Sequence, residues 1–437
     1  MAFNLHQLNP KPDVKVGFRL NDEYADTLLP RIKQLLRCNP HSNRFPGTQP
    51  VDFEKSHFEL LESEEYFVRD KTDGKRYILF FTPVDGGTAF MFSILYQQMD
   101  ESSKFRILTN FKLPLRHNHS AIHNETMMDG EIVVEADNNK RRLRYLIFDL
   151  MVLNGSVIIE RPYNKRMGML KQDVIEPLNA VLEGNSEMRK KMPFTMEIKS
   201  MELSYGLVNT LQKIPSMKHG NDGLMFVPVN HPYEPEKCKK LLLWKPISLM
   251  YVDFKIKVIK TKDRKPIYHL LISDDNQDHK DDTVNHKFYD YLTLDPQTEV
   301  KWLEDPPDGA IGQFWYDEHW KTKIYDATPY VRDGGWKFHR FKHDKHTADT
   351  EQTLAEVWNK ILNAVSRDML EERVNIMRDN WKRRQASKHG SLRMPSTPLL
   401  QTPTATQTSF GLSYFPDAGP SSTSPSSLSN NQPVSPS

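Results

Sequence analysis

The residues whose chemistry stands out begin at Lys71-Thr72-Asp73-Gly74-Lys75-Arg76, just after the strand-like run Tyr66–Val68. A lysine amine is a nucleophile once it has lost its proton, and neighbouring cations favour that form. Standing alone, the segment reads more readily as a hairpin turn, because Asp-Gly is a strong turn dipeptide. Downstream lie Asp129-Gly130-Glu131, Tyr145-Leu146-Ile147-Phe148-Asp149, Asp222-Gly223-Leu224-Met225-Phe226, Trp244-Lys245-Pro246 and the run WKFHRFKHDK from Trp336 to Lys345. Carboxylates offer hard oxygen ligands to a divalent cation, and lysines and arginines neutralise phosphate charge. Taken singly, Phe148 and Trp336 read as core side chains, and Glu131 and Asp222 as turn carboxylates. Only the set, in this order, carries a chemical reading.

That order and spacing resemble the signature of the covalent nucleotidyltransferases, the superfamily of DNA ligases, RNA ligases and mRNA capping enzymes, over residues 45–346. Phe45-Pro46-Gly47-Thr48-Gln49-Pro50-Val51 ahead of the lysine and Trp244-Lys245-Pro246 after it point to the capping-enzyme branch, and the pattern is similar to the stand-alone guanylyltransferase subunits of fungi. The resemblance implies that Lys71 attacks the α-phosphate of GTP, expels pyrophosphate, and passes GMP to a 5′-diphosphate RNA end to form a GpppN cap. It implies that Arg76 contacts the ribose, that Glu131 helps place the ribose and metal, and that Phe148 stacks on guanine. Asp222 then binds Mg2+ or Mn2+, directly or through water, and Lys245 holds the α-phosphate. Arg340, Lys342, Asp344 and Lys345 complete the GTP-binding set, the last two orienting the departing pyrophosphate when a cleft closes.

Three positions depart from the family pattern. Asp100-Glu101 stands where the family has Asp-Arg, Leu243 where it has a lysine two residues before Lys245, and Lys342 where it has an arginine. Lysine keeps the charge of arginine but loses its bidentate fork. These departures motivate a second reading, a catalytically weakened paralogue that serves as a binding module of the capping or transcription machinery. The retained Lys71, Arg76, Glu131, Asp222, Lys245, Asp344 and Lys345 argue against it. A third reading is an ATP-dependent polynucleotide ligase, which the Phe-Pro-Gly-Thr-Gln-Pro and Trp-Lys-Pro segments disfavour. No tyrosine-phosphatase-like Cys motif is visible. The resemblance therefore implies a separate RNA triphosphatase (a beta subunit) as partner, together with the phosphorylated tail of RNA polymerase II, in the nucleus.

The elements that must position these residues follow from periodicity. In residues 1–45, Leu28, Leu29, Ile32, Leu35 and Leu36 fall at helical spacing and predict a short amphipathic helix. Residues 46–246 carry short strand-like runs (Tyr77–Phe81, Ala89–Leu95, Glu131–Val134, Tyr145–Leu150) split by Gly, Asp, Asn and Pro. They predict an α+β nucleotidyltransferase domain with antiparallel sheets, without a βαβ repeat. Residues 247–346, with alternation at Tyr251–Ile259 and Ile311–Tyr316, predict a small β-barrel, an OB fold by the resemblance. Residues 347–389 hold a C-terminal helix: an apolar stripe from Leu354 to Trp381 predicts one long helix over 351–386, capped by Asp349 or Thr350 and packed back on the first domain. Residues 390–437, rich in Ser, Pro and Thr, are expected to be disordered.

Composition narrows the class. The chain has 437 residues, 38% of them hydrophobic, and a mean hydropathy of −0.64, which suits two soluble domains with a polar tail. No run approaches the ~20 apolar residues of a membrane helix, and the N-terminus has no secretory apolar core. Two cysteines, Cys38 and Cys238, do not make a disulfide framework, and a net charge of +2 neither supports nor excludes a nucleic-acid partner. His117, His119 and His123 are irregularly spaced for zinc and read as loop; Asp274–Asp282 lacks the glycine of a calcium loop.

Overall fold

The computed structural model describes residues 16–20, 22–42, 44–83, 91–97, 105–108, 111–137, 140–261, 265–274 and 285–390. The Asp100-Glu101 pair, the acidic insert after Asp274 and the tail from residue 391 lie outside them.

Tyr77–Phe81 is apolar at every position because both faces of its strand are covered, as for any central strand with packing on each side. Tyr77, Leu79 and Phe81 enter one core with Ile147, Leu170 and Phe194; Ile78 and Phe80 enter a second with Leu28, Ile32, Leu35 and Leu36. The strand Lys75–Pro83 is central in a sheet ordered Phe18–Arg19, Phe105–Leu108, Met91–Gln97, Lys75–Pro83, Thr126–Asp137, Lys140–Leu153, Ser156–Val157. That path is antiparallel throughout, and Thr195–Ile198 adds to Lys140–Leu153 in parallel. The helix Asp22–Leu36 supplies the second core, and Arg31 clamps it to the sheet through two 2.7 Å bonds to Glu125.

A second sheet of five strands runs Glu202–Leu203, Tyr66–Thr72, Asn221–Pro228, Lys237–Trp244, Gln49–Asp52. Val68, Leu224, Phe226 and Leu242 from this sheet pack with Leu207 and Leu211. Tyr66–Thr72 and Lys75–Pro83 follow one another in the chain yet belong to different sheets. Lys71-Thr72-Asp73-Gly74 is therefore a corner between sheets and not the hairpin that Asp-Gly suggests.

The second lobe is an antiparallel sheet ordered His286–Leu292, Ile267–Ser273, Tyr251–Ile259, Ile311–Ile324, Tyr330–Phe341, with the helix Pro296–Glu304 between its third and fourth strands in sequence. Among the described residues the first and last strands of this order share no ladder; an Arg332–Asp290 ion pair of 2.7 Å spans the gap. This is the strand and helix order of a partly open five-stranded barrel around Phe254, Phe314, Trp302 and Trp336.

The single long C-terminal helix is corrected to three: Glu351–Leu362, Arg367–Glu372 and Val374–Gly390. Thr350 caps the first through Thr353 N at 3.2 Å, and Ser366 restarts the second through Met369 N at 3.2 Å. The breaks divide the apolar stripe. Leu354, Val357, Trp358 and Ile361 pack on the barrel, whereas Val365, Leu370, Val374 and Met377 join the core under the second sheet. Trp244 Nε1 donates to Val365 O at 2.7 Å, and Trp381 Nε1 to Glu65 at 2.9 Å, so this segment ties the two lobes together.

Candidate active site

Lys71 sits at the end of Tyr66–Thr72, where the neighbouring strand bulges. Asn221 pairs with Thr72 and Leu224 with Asp70, so Asp222 and Gly223 together oppose the single Lys71. A bulge of this kind re-aims side chains at a sheet's working edge. Gly223 has φ +121°, and a Cβ there would overlap the Trp244 carbonyl and lie 3.3 Å from Lys245 Cα. Asn221 closes the bulge by accepting from Gly223 N at 2.9 Å and donating to Gly223 O at 3.1 Å. The result is that Asp222 Oδ2 stands 3.9 Å from Lys71 Nζ.

The second carboxylate comes from the other sheet. Glu131, paired opposite Arg76, is buried and places Oε1 3.7 Å from Lys71 Nζ. Thr72 Oγ1 donates to it in a short hydrogen bond, and Gly74 N donates at 3.2 Å. Gly74 must lack a side chain, since a Cβ would stand 2.6 Å from Ile132 O and 2.8 Å from Glu131 Cγ. Lys71 Nζ also donates to Thr72 O at 2.8 Å. The sequence-predicted Lys71, Glu131 and Asp222 are thus brought into one cluster. Two carboxylates beside the amine form a hard oxygen set of the kind Mg2+ and Mn2+ take, with Asp222 still partly exposed.

Phe148 lies in a second bulge: Ile147 pairs with Gly130 and Asp149 with Asp129, leaving Phe148 unpaired between them. Asp149 anchors that point in the interior through Arg166, with bonds of 2.7 and 2.8 Å. Burial pushes the Asp149 carboxyl up, and the Arg166 charge opposes it. Over the Phe148 ring lie two guanidinium groups, Arg69 at 4.3 Å and Arg76 at 5.3 Å. Arg76 spends three of its five N–H donors inside the protein: Nε and Nη2 hold the buried Asp129 at 2.9 and 2.5 Å, and Nη1 holds Thr48 O at 2.7 Å. Burial disfavours its charge, but Asp129 more than reverses this and raises its pKa. The Phe45–Val51 segment is locked to the same cluster, since Thr48 N donates to Tyr233 Oη at 3.0 Å and Tyr233 Oη donates to Asp129 at 2.8 Å.

The second-lobe residues are placed differently. Arg340 Nε donates to Gln313 at 3.0 Å, and both Arg340 and Asp222 act electrostatically on Tyr251, whose hydroxyl is pushed up to about 12 by burial. Lys345 holds Asp253 at 2.9 Å and Asp349 at 2.5 Å, within its own lobe. Asp344 is exposed with Lys342 3.4 Å away. Lys245 lines a cleft of about 430 Å³ with Leu243, Tyr251, Glu356 and Lys360. Lys240 does not replace the lysine missing at 243, being paired with Glu64 at 2.6 Å.

Two cations near the nucleophile escaped the sequence reading. Lys199 is buried, holds Asp70 at 2.6 Å and approaches Thr72 Oγ1 at 3.5 Å; burial lowers its pKa and Asp70 opposes the shift. Arg69 is the other, its only signal an arginine two residues before Lys71 on the same strand. His123 is structural, buried between Thr126 Oγ1 and Asp173 O at 3.0 Å each.

A family model described as mRNA capping enzyme, catalytic domain, matches residues 13–247, and one described as mRNA capping enzyme, C-terminal domain, matches residues 251–371. The mRNA-capping enzyme subunit alpha of Schizosaccharomyces pombe is 27% identical over 389 residues, covering 86% of this chain and 88% of that protein. Its counterpart of the same name in Saccharomyces cerevisiae is 26% identical over 405 residues, covering 83% and 86%. Among solved structures, a mycobacterial DNA ligase D complexed with ATP and MES covers 69% of this chain and 95% of that one at 13% identity, with a TM-score of 0.32, too low to bear on fold or function.

Proposed function

The chain belongs to the mRNA capping enzyme family, and from that premise we propose that its guanylyltransferase activity runs through a lysyl-GMP on Lys71. The observation that carries the proposal is the single amine held between Glu131 and Asp222 at a corner joining two sheets. Lys71 Nζ, having lost a proton, attacks the α-phosphorus of GTP. A P–N bond forms, the bond from the α-phosphorus to the bridging oxygen breaks, and pyrophosphate leaves. The terminal oxygen of a 5′-diphosphate RNA then attacks the same phosphorus, the P–N bond breaks, Lys71 is freed and GpppN forms. A divalent cation on Glu131 and Asp222 would supply positive charge to the phosphates. Phe148 offers a ring to the base, and Arg76, oriented by Asp129, contacts the ribose. Lys245, whose backbone lies against Gly223, would hold the α-phosphate. Arg340, Lys342, Asp344 and Lys345 would bind the triphosphate from the second lobe, and Lys345 would exchange its carboxylates for phosphate when the lobes close.

The name subunit alpha carried by the relatives supports a partner subunit for this chain, which we take to be an RNA triphosphatase that supplies the diphosphate end. The phosphorylated RNA polymerase II tail as second partner and the nucleus as location follow from the same reading. Among the described residues no helix is long and apolar enough to cross a membrane. The test is incubation with labelled GTP or ATP and Mg2+ or Mn2+, followed by a denaturing gel. A GMP adduct is expected that Lys71→Ala abolishes and Lys75→Ala retains. An adduct only with ATP would make the chain a ligase, none at all a binding module, and GMP mapped to another lysine by mass spectrometry would refute the assignment.

A further inference from the structure

Arg69 is nine-tenths buried, yet its Nε has no hydrogen-bond partner, and among the described residues its side chain makes no hydrogen bond or ion pair. Every comparable buried cation around it is matched: Arg76 by Asp129, Arg166 by Asp149 and Lys199 by Asp70. A desolvated guanidinium without an acceptor is costly, and the Phe148 ring 4.3 Å away offsets only part of that cost. Such a group is a donor set waiting for acceptors that the described residues do not provide.

Its placement says which acceptors. Phe67, Arg69 and Lys71 alternate along Tyr66–Thr72, so Arg69 shares a strand face with Lys71, about 7 Å along the chain. A nucleotide whose α-phosphate meets Lys71 and whose base reaches Phe148 brings the edge of that base to Arg69. We propose that Arg69 donates its guanidinium fork to O6 and N7 of guanine and thereby selects GTP over ATP. This rests on the lysyl-GMP reading above. Guanine presents two acceptors on that edge, which an arginine fork matches; adenine presents an amino donor in place of O6, which faces the fork donor to donor. In the nucleotide-free state the guanidinium covers the Phe148 ring. When the base stacks there, the long arginine stem lets the head slide from the ring face to the base edge.

The test compares adduct formation from GTP, 2,6-diaminopurine riboside triphosphate, which replaces O6 by an amine and leaves N1 without its proton, and 7-deaza-GTP, which removes N7 alone. The wild type is expected to prefer GTP over both. Arg69→Met is expected to raise KM for GTP by about 5- to 150-fold, the worth of one bidentate pair, with a far smaller change in kcat. Its preference for GTP over the diaminopurine nucleotide should collapse. Without nucleotide, Arg69→Met should melt no lower than the wild type, because it removes an unmatched buried charge. Arg69→Lys keeps the charge without the fork and should lose most of the same discrimination. Wild-type discrimination in Arg69→Lys, or in a folded Arg69→Met, overturns the proposal, as does a marked fall in the melting temperature of nucleotide-free Arg69→Met. A wild-type chain that forms no GMP adduct fails earlier, and fails the parent reading instead.

Discussion

Asp129 offers the sharpest test of how the pocket wall is built. It is fully buried and accepts three hydrogen bonds, from Arg76 Nε and Nη2 at 2.9 and 2.5 Å and from Tyr233 Oη at 2.8 Å. Asp129→Asn keeps the shape and removes the charge, leaving Arg76 with the Thr48 carbonyl and an amide. Breaking a buried pair by neutralising one partner costs about 3–5 kcal/mol, because the other charge stays desolvated. With a urea m-value of about 2–3 kcal/mol per M, the unfolding midpoint falls by about 1–2.5 M. The assay is urea unfolding followed by tryptophan fluorescence and circular dichroism, with Arg76→Met/Asp129→Asn as the second arm. The double variant has no unpaired charge and should recover a large part of the loss. A cost below about 1 kcal/mol for Asp129→Asn, or a double variant no more stable than Asp129→Asn alone, would refute the reasoning.

Gly223→Ala forces a Cβ into the Trp244 carbonyl at φ +121°; it should destabilise by about 1–3 kcal/mol and suppress the GMP adduct by displacing Asp222, and a variant with wild-type adduct yield would show that the bulge does not aim that carboxylate. Asp295→Ala removes the cap of Pro296–Glu304, whose carboxylate accepts from Gln297 N and Thr298 N at 3.1 and 3.0 Å, and should cost about 1 kcal/mol at neutral pH. Burial raises that carboxyl, but the cap hydrogen bonds outweigh it and hold its pKa below the ordinary value. The contribution is therefore complete above the unfolded carboxylate pKa and lost as pH falls through the depressed folded one, so the gap between wild type and variant should close in acid; a pH-independent gap would contradict this. Deleting residues 391–437 should leave GMP-adduct formation within about twofold, well short of the 1.4 kcal/mol of a tenfold effect, because every proposed catalytic and GTP-binding residue precedes residue 346. A tenfold loss would place a catalytic contribution in the tail.

Local pattern determined a good part of this protein. The apolar run Tyr77–Phe81 already read as a strand, and Leu28, Ile32, Leu35 and Leu36 as a helix with one apolar stripe, although that both faces of the strand are covered came only from the structure. The succession Lys71, Asp129-Gly130-Glu131, Asp222-Gly223 and Trp244-Lys245-Pro246 already named the family to which the chain belongs. These features are legible because strand and helix periods are written into neighbouring positions. Partners are not. Thr72 meets Glu131 across 59 positions and Asp70 meets Lys199 across 129, and which sheets face each other decides both. The Asp-Gly dipeptide read as a hairpin because turn chemistry is the same whether the chain folds back on its sheet or crosses to another. The apolar stripe after residue 350 read as one helix because periodicity carries across a short break, whereas in three dimensions the break at Asn363–Ser366 lets one stripe serve two cores. Arg69 looked like one basic residue among 59. Only the tertiary structure buried it with no carboxylate partner among the described residues, because burial and the identity of a charge's neighbours are set by packing between sheets and not by the order of residues within a strand.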